Sequence, residues 1–164
     1  MDKLQVFEII EGTAVDGPGL RTAIYFSGCS HKCPGCQNPQ TWDFNAGRLM
    51  SIDEIMEVVE RNGFNVTFSG GDPLFQIKPL TELAKRIHAS GKTIWCYTGF
   101  TYDVMLTLPN YSSLLSVIDV LVDGAFVKEL ADVSLPFRGS SNQRLIDCRL
   151  SEAGNIVLYQ PDLY

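Results

Sequence analysis

The chain has 164 residues, enough for one domain with a proper buried core. Its 19 acidic residues outnumber 13 basic ones for a net charge of −6, and no Lys/Arg run stands out, which argues against a nucleic-acid partner. The opening MDKLQVFEIIEG has no positive region followed by a long apolar stretch, and no run reaches the length of a membrane span, so a cytoplasmic location with no membrane partner is expected.

In chain order, LRTAIYFS (20–27) reads as a strand, being rich in β-branched and aromatic residues. A cysteine-rich loop follows, and MSIDEIMEVVERN then reads as a helix. Ser51 is its N-cap, Glu54 completes a capping box, and Ile52, Ile55, Met56 and Val59 form its apolar face. Gly63 ends it. NVTFSGG (65–71) is a second strand, residues 78–90 a helix closed by Gly91, and KTIWCYTG (92–99) a third strand. A shorter helix covers 101–108, and the apolar run SVIDVLVDG (116–124) suits the interior of a parallel sheet. Residues 142–148 and 155–160 are late strand candidates.

Alternating strands and helices predict βα units around a mostly parallel sheet. A complete barrel needs about 250 residues. At about 30 residues per unit, this chain holds five or six. An open, incomplete (β/α) barrel is the expected fold, with a flavodoxin-like doubly wound sheet as the alternative. In either, ligands gather at the C-terminal strand ends. The Cys loop, SGGDP, YTGF and DGAF all fall there.

Three of the five cysteines, Cys29, Cys33 and Cys36, crowd one loop in a C-x3-C-x2-C spacing. In a reducing compartment such thiols are free, catalytic or metal-bound. A zinc knuckle at Cys33 and Cys36, completed by Cys29 and His31 or Cys96, is one reading. A redox C-P-G-C pair is a second, although it does not require Cys29. A [4Fe–4S] cube is the third: three thiolates hold three irons and leave the fourth with an open coordination position.

CSHKCPGC carries the spacing of the radical S-adenosylmethionine enzymes, and DGPGLRTAIYFSGCSHKCPGCQNPQTW resembles the opening of the glycyl-radical-enzyme activases within that superfamily. SGGDPL (69–74), WCYTGF (95–100), LVDGAFVKEL (121–130) and SLPFRGSSNQR (134–144) resemble the branch that serves anaerobic ribonucleoside-triphosphate reductase. The resemblance runs from residue 8 to about 148, and residues 1–164 are taken as a single radical S-adenosylmethionine domain.

The resemblance implies an enzyme whose cofactors are a [4Fe–4S] cluster and S-adenosylmethionine. Reductive cleavage of the latter gives methionine and a 5′-deoxyadenosyl radical, which takes a glycine α-hydrogen from the partner. The implied partners are the large subunit of the reductase and a low-potential donor such as flavodoxin or ferredoxin. Activation of another glycyl-radical enzyme, such as a formate-lyase, is the alternative, and a non-catalytic zinc or iron–sulfur module is a further one. The hard chemistry belongs to the cofactors, so no side chain is assigned as catalytic.

Cys29, Cys33 and Cys36 carry over as cluster ligands. Ser69, Gly70, Gly71 and Asp72 match the glycine-rich cofactor motif, and Thr98 ends the third strand beside it. The residue before the third cysteine, often aromatic and near the adenine in the superfamily, is here Gly35, as is usual in this branch. The backbone around Gly35 or at later strand ends is therefore expected to hold the adenine. His31, Tyr97, Asp123 and Arg138 are further candidates. Whether Tyr97, Trp95 and Cys96 face the cavity or the helices is left open by alternation in a strand buried on both sides. Cys96 and Cys148 are expected to be structural, and Arg21 to reach a carboxylate, a partner or solvent.

Overall fold

The computed structural model describes residues 2–36 and 39–160, so Gln37 and Asn38 of the cysteine motif lie outside the described residues. Among the described residues seven strands form one sheet: β1 (Lys3–Thr13), β2 (Arg21–Phe26), β3 (Arg48–Ser51), β4 (Asn65–Gly70), β5 (Ile94–Tyr97), β6 (Val120–Asp123) and β7 (Arg144–Asp147). Their order across the sheet is β3-β1-β2-β4-β5-β6-β7. The central four, β2-β4-β5-β6, are parallel; β1, β3 and β7 are antiparallel to their neighbours. The helices are α1 (Ile52–Asn62), α2 (Ile77–Ala89), α3 (Tyr102–Thr107) and α4 (Pro109–Leu115). This is a mixed sheet with helical crossovers, consistent with a partial (β/α) barrel.

Four parallel strands joined by three crossovers replace the expected five or six units, because β1, β3 and β7 consume chain as antiparallel strands. Residues 155–160 form no strand; single bridges join Leu158 to Ile146 and Asn155 to Glu152. The helix at 101–108 is followed directly by α4, where Pro109 takes the first position and Leu108 stands between the two.

Local chemistry sets the helix ends. Ser51 accepts from the Glu54 N–H at 3.1 Å while Glu54 accepts from the Ser51 N–H at 3.1 Å, the reciprocal capping box. Gly63 closes α1 at φ 69°, a left-handed conformation that glycine adopts without a Cβ penalty. Ile55, Met56 and Val59 of α1, Leu80, Leu83, Ala84 and Ile87 of α2, and Leu114 of α4 pack with Ile24, Phe26, Val66, Phe68, Ile94, Cys96 and Leu121 in one apolar core. The opposite face of the same strands holds a smaller cluster, Trp95, Val120, Val122 and Leu145, flanked by Tyr97, Phe137 and Tyr159. The pleat thus sends Trp95 and Tyr97 to one side and Cys96 to the helices.

Candidate active site

The Cys loop leaves the end of β2 and is held by backbone hydrogen bonds on both sides. Gly28 N–H donates to Thr41 O at 2.7 Å and Cys29 N–H to Trp42 O at 3.2 Å. Gly71 N–H donates to Phe26 O and Asp72 N–H to Gly28 O, both at 2.9 Å. A Cβ at Gly71 would sit 2.5 Å from Gly28 O and 2.9 Å from Thr41 O. Glycine there lets the turn after β4 lie flat against the loop that carries the thiols.

Asp72 is the hub of the site and is 1% exposed. Its carboxylate accepts from Thr98 Oγ1 and Gly99 N–H at 2.9 Å and from Leu74 N–H at 3.0 Å. It also meets His31 Nε2 at 2.7 Å. Four protein groups therefore saturate it, and it ties together the ends of β4 and β5 and the Cys loop. The hydrogen bond to Asp72 raises the His31 pKa above its ordinary value, against desolvation. His31 packs against Phe75 and Phe100, with ring centroids 5.4 and 4.9 Å away. Burial pushes the Cys29 thiol pKa up, and the N–H groups of His31 and Lys32 oppose that by bonding to the sulfur.

A cavity of about 380 Å³ opens at the C-terminal ends of the parallel strands. Cys29, His31, Cys33, Cys36, Ser69, Gly70, Gly71, Asp72, Tyr97, Thr98 and Arg138 all line it. Two expected residues do not. Gly35, at φ 77°, lies against Phe126 and Lys128. Asp123 is fully buried below the cavity, where it accepts from Tyr102 N–H at 2.8 Å and pairs with Arg144 at 2.6 Å. It joins the start of α3 to β7, a structural duty.

Tyr97 turns its ring to the cavity side and donates its hydroxyl to Phe137 O at 2.8 Å. Arg138 donates from Nη1 to Gln143 O at 3.2 Å, while its buried Nε has no partner among the described residues. Arg21 is neither exposed nor paired with a carboxylate. It is 1% exposed and donates to Thr67 Oγ1 at 2.9 Å and to Val66 O at 2.8 Å, with the Trp95 ring 5.8 Å away. Burial pulls its pKa down to about 10. Thr67 Oγ1 in turn donates to Asp16 O at 2.7 Å, and Tyr25 donates its hydroxyl to the Asp16 carboxylate. Residues 16–19 (DGPG) are thereby fixed beside the cavity, which Asp16 and Val15 also line.

Sequence reasoning did not single out Phe126, Phe137 or Gln143, which line the cavity as well. The DGAF and RGSSNQR blocks contain or adjoin them, so the signal was the block and not the residue. Cys96 and Cys148 belong to the apolar core, and burial pushes their thiols up, Cys148 to about 12.

Cys29, Cys33, Cys96 and Cys148 are free thiols. Among the described residues no group of three or more His, Cys, Asp or Glu side chains is arranged to hold a metal ion. Three thiols on one cavity wall, on a loop of small residues, nevertheless suit a cluster, which takes Cys thiolates as its ligands.

Residues 15–146 match the family described as 4Fe-4S single cluster domain. The anaerobic ribonucleoside-triphosphate reductase-activating protein of Escherichia coli (strain K12) is 40% identical over 141 residues, covering 79% of this chain and 89% of the relative. The protein of the same description from Haemophilus influenzae is 38% identical over 144 residues, with 79% and 88% covered. That from Enterobacteria phage T4 is 34% identical over 139 residues, with 80% and 86% covered. A [4Fe–4S] cluster and S-adenosylmethionine are the cofactors that this kinship and the thiol-lined cavity support together. The chain belongs to the family of anaerobic ribonucleoside-triphosphate reductase-activating proteins.

Proposed function

We propose that this chain, as a single domain, activates an anaerobic ribonucleoside-triphosphate reductase by placing a radical on one of its glycines. The observation that carries the reading is the meeting of Cys29, Cys33 and Cys36 with the strand ends at Ser69–Asp72 and Thr98 on one cavity. The three thiolates would hold the cluster, and the strand ends would receive S-adenosylmethionine. Bound together and given one electron, these groups would supply reductive cleavage of a sulfur–carbon bond and the radical chemistry that removes a glycine α-hydrogen.

The chain's own residues bind, orient and shield. The N–H groups of His31 and Lys32 reach the Cys29 sulfur and stabilise its thiolate. Asp72 acts by position: it fixes Thr98, Gly99 and His31 and so sets the spacing between the thiols and the end of β5. Leu135, Phe137 and Val122 give the cavity an apolar side that limits water. The sheet serves as an open, incomplete barrel whose mouth admits the partner's glycine. A flavodoxin-like or ferredoxin-like protein supplies the electron. We place the protein in the cytoplasm, without a membrane or nucleic-acid partner; among the described residues no helix is long and apolar enough to cross a membrane.

The test is anaerobic reconstitution with iron and sulfide, reduction, and mixing with S-adenosylmethionine and the candidate reductase. A [4Fe–4S] spectrum, 5′-deoxyadenosine and a glycyl radical on the reductase are expected. A closed four-ligand zinc site with no cleavage would overturn the reading, and a radical formed only on a formate-lyase would reassign the partner.

A further inference from the structure

Phe126 stands apart from the other rings of the cavity. His31 is packed between Phe75 and Phe100 and tied to Asp72. Tyr97 is committed through its hydroxyl to Phe137 O. Phe137 packs edge-on to Trp95 with centroids 5.2 Å apart. Phe126 is half-buried, lines the cavity, and makes no ring pair among the described residues.

Two glycines bracket its ring. A Cβ at Gly139 would lie 3.1 Å from it, and one at Gly35 3.4 Å. Gly35 adjoins the third thiol and Gly139 follows Arg138, so the ring sits between the Cys loop and the late polar loop. Both backbone neighbours of Phe126 are pinned. Val127 N–H donates to Ser140 Oγ at 3.2 Å, and Asn142 Nδ2 donates to Ala125 O at 2.8 Å. Ser140 Oγ in turn donates to Asn142 Oδ1 at 2.6 Å, and Gln143 Nε2 donates to Gly124 O at 2.9 Å. The hydrogen bonds of the 140–143 segment thus converge on the stretch that carries one ring.

Resting on the function proposed above, we propose that Phe126 is the platform on which the adenine of S-adenosylmethionine stacks, and that Ser140, Asn142 and Gln143 are positioning residues that hold the ring at the cavity wall. A purine is flat on both sides and gains by burying one side against an aromatic ring. A phenylalanine that is unpaired, fixed at its backbone and flanked by glycines offers such a surface next to the thiols.

The test uses the full reconstituted chain and isothermal titration with S-adenosylmethionine, 5′-methylthioadenosine and methionine, with iron and sulfide content measured for every variant. Phe126→Ala and Phe126→Leu should weaken both adenine-bearing ligands by roughly ten- to a hundredfold. Methionine binding and cluster content should be unchanged. Phe126→Tyr should restore the affinity. Phe126→Leu retains apolar bulk between the two glycines, so it separates loss of the π-face from loss of packing. Affinity within twofold of wild type in Phe126→Leu, or an equal loss in Phe126→Tyr, would overturn the proposal. Failure of the wild-type chain to bind S-adenosylmethionine would overturn the function proposed above instead.

Discussion

The two faces of the sheet are built from the same strands and hold opposite chemistry. Toward the helices, β2, β4 and β5 send Ile24, Phe26, Val66, Phe68, Ile94 and Cys96, all fully buried and all apolar. Toward the cavity side the same strands send Arg21, Tyr25, Thr67, Ser69, Trp95 and Tyr97. The helix side stabilises by burial at about 25 cal/mol per Å² of apolar surface. The cavity side is rich in polar groups, which must find partners because an unpaired buried donor is costly. Arg21 achieves this with carbonyls and Thr67, and Asp72 with four donors. Damage to the helix side should therefore appear as lost stability, and damage to the cavity side as lost binding or lost geometry.

The largest expected effect separates the cysteines. Cys29→Ala, Cys33→Ala or Cys36→Ala should each abolish 5′-deoxyadenosine formation to background and lower the iron content of the reconstituted protein. Cys148→Ala, on the helix side, should leave product formation within a few-fold of wild type. Anaerobic product assays with iron analysis check both; substantial 5′-deoxyadenosine formation with undiminished iron content in Cys29→Ala would remove Cys29 from the ligand set.

Next in size is a cavity in the apolar core. Phe68 is fully buried and meets Phe26 edge-on at 5.6 Å. Phe68→Ala should cost about 3–5 kcal/mol of stability. The protein that remains folded should bind S-adenosylmethionine as wild type does. Urea unfolding, with titration below the transition, checks whether stability and binding come apart as the two faces require.

Asp72→Asn probes the cavity side with almost no change of shape. One acceptor oxygen becomes an NH2 that faces donors, so at least one of the groups around it loses its partner. The cost should be about 1–3 kcal/mol. Unlike Phe68→Ala, it should also raise the KM for S-adenosylmethionine, because Thr98, Gly99 and His31 are no longer held in one arrangement. A variant that loses stability with an unchanged KM would make Asp72 a purely structural group.

The legible parts of the sequence are those governed by local chemistry. Ser51, Glu54 and Gly63 delimit α1 through short-range hydrogen bonds and a left-handed glycine, and the three thiols adjoin one another in the chain. β1 was not legible as a strand. Leu4 and Val6 alternate as a strand should, but its pairing with β2 shifts register between Val6 and Glu8 and again between Glu11 and Thr13, which breaks the period-two pattern. Trp95 and Tyr97 show their alternation with Ile94 and Cys96, yet both faces of β5 are apolar enough that the pattern carries no sign. The saturation of Asp72 was hidden because Thr98, Gly99 and His31 lie 26, 27 and 41 residues away. Asp123 at a strand end looked like a site residue, but its partner Arg144, 21 residues on, takes it out of the cavity.

The smallest effect is set by pH, and it again divides the faces. Burial raises the Cys148 thiol from 9.0 to about 12 and raises Cys96 as well, both on the helix side. The unfolded chain releases these protons near pH 9 while the folded chain keeps them. The folded state then binds more protons, so stability falls as pH rises above about 9, by at most about 1.4 kcal/mol per pH unit for each group. On the cavity side Tyr25 and Tyr97 are also raised, chiefly by burial, but from 10.0, so they add to the fall only above pH 10. Cys29 shares the thiol window, so the difference between wild type and Cys148→Ala isolates the helix side. Thermal melts under reductant at pH 8, 9 and 10 should show a shallower decline in Cys148→Ala. Equal declines would mean that the Cys148 thiol is wetter than its packing against the core allows.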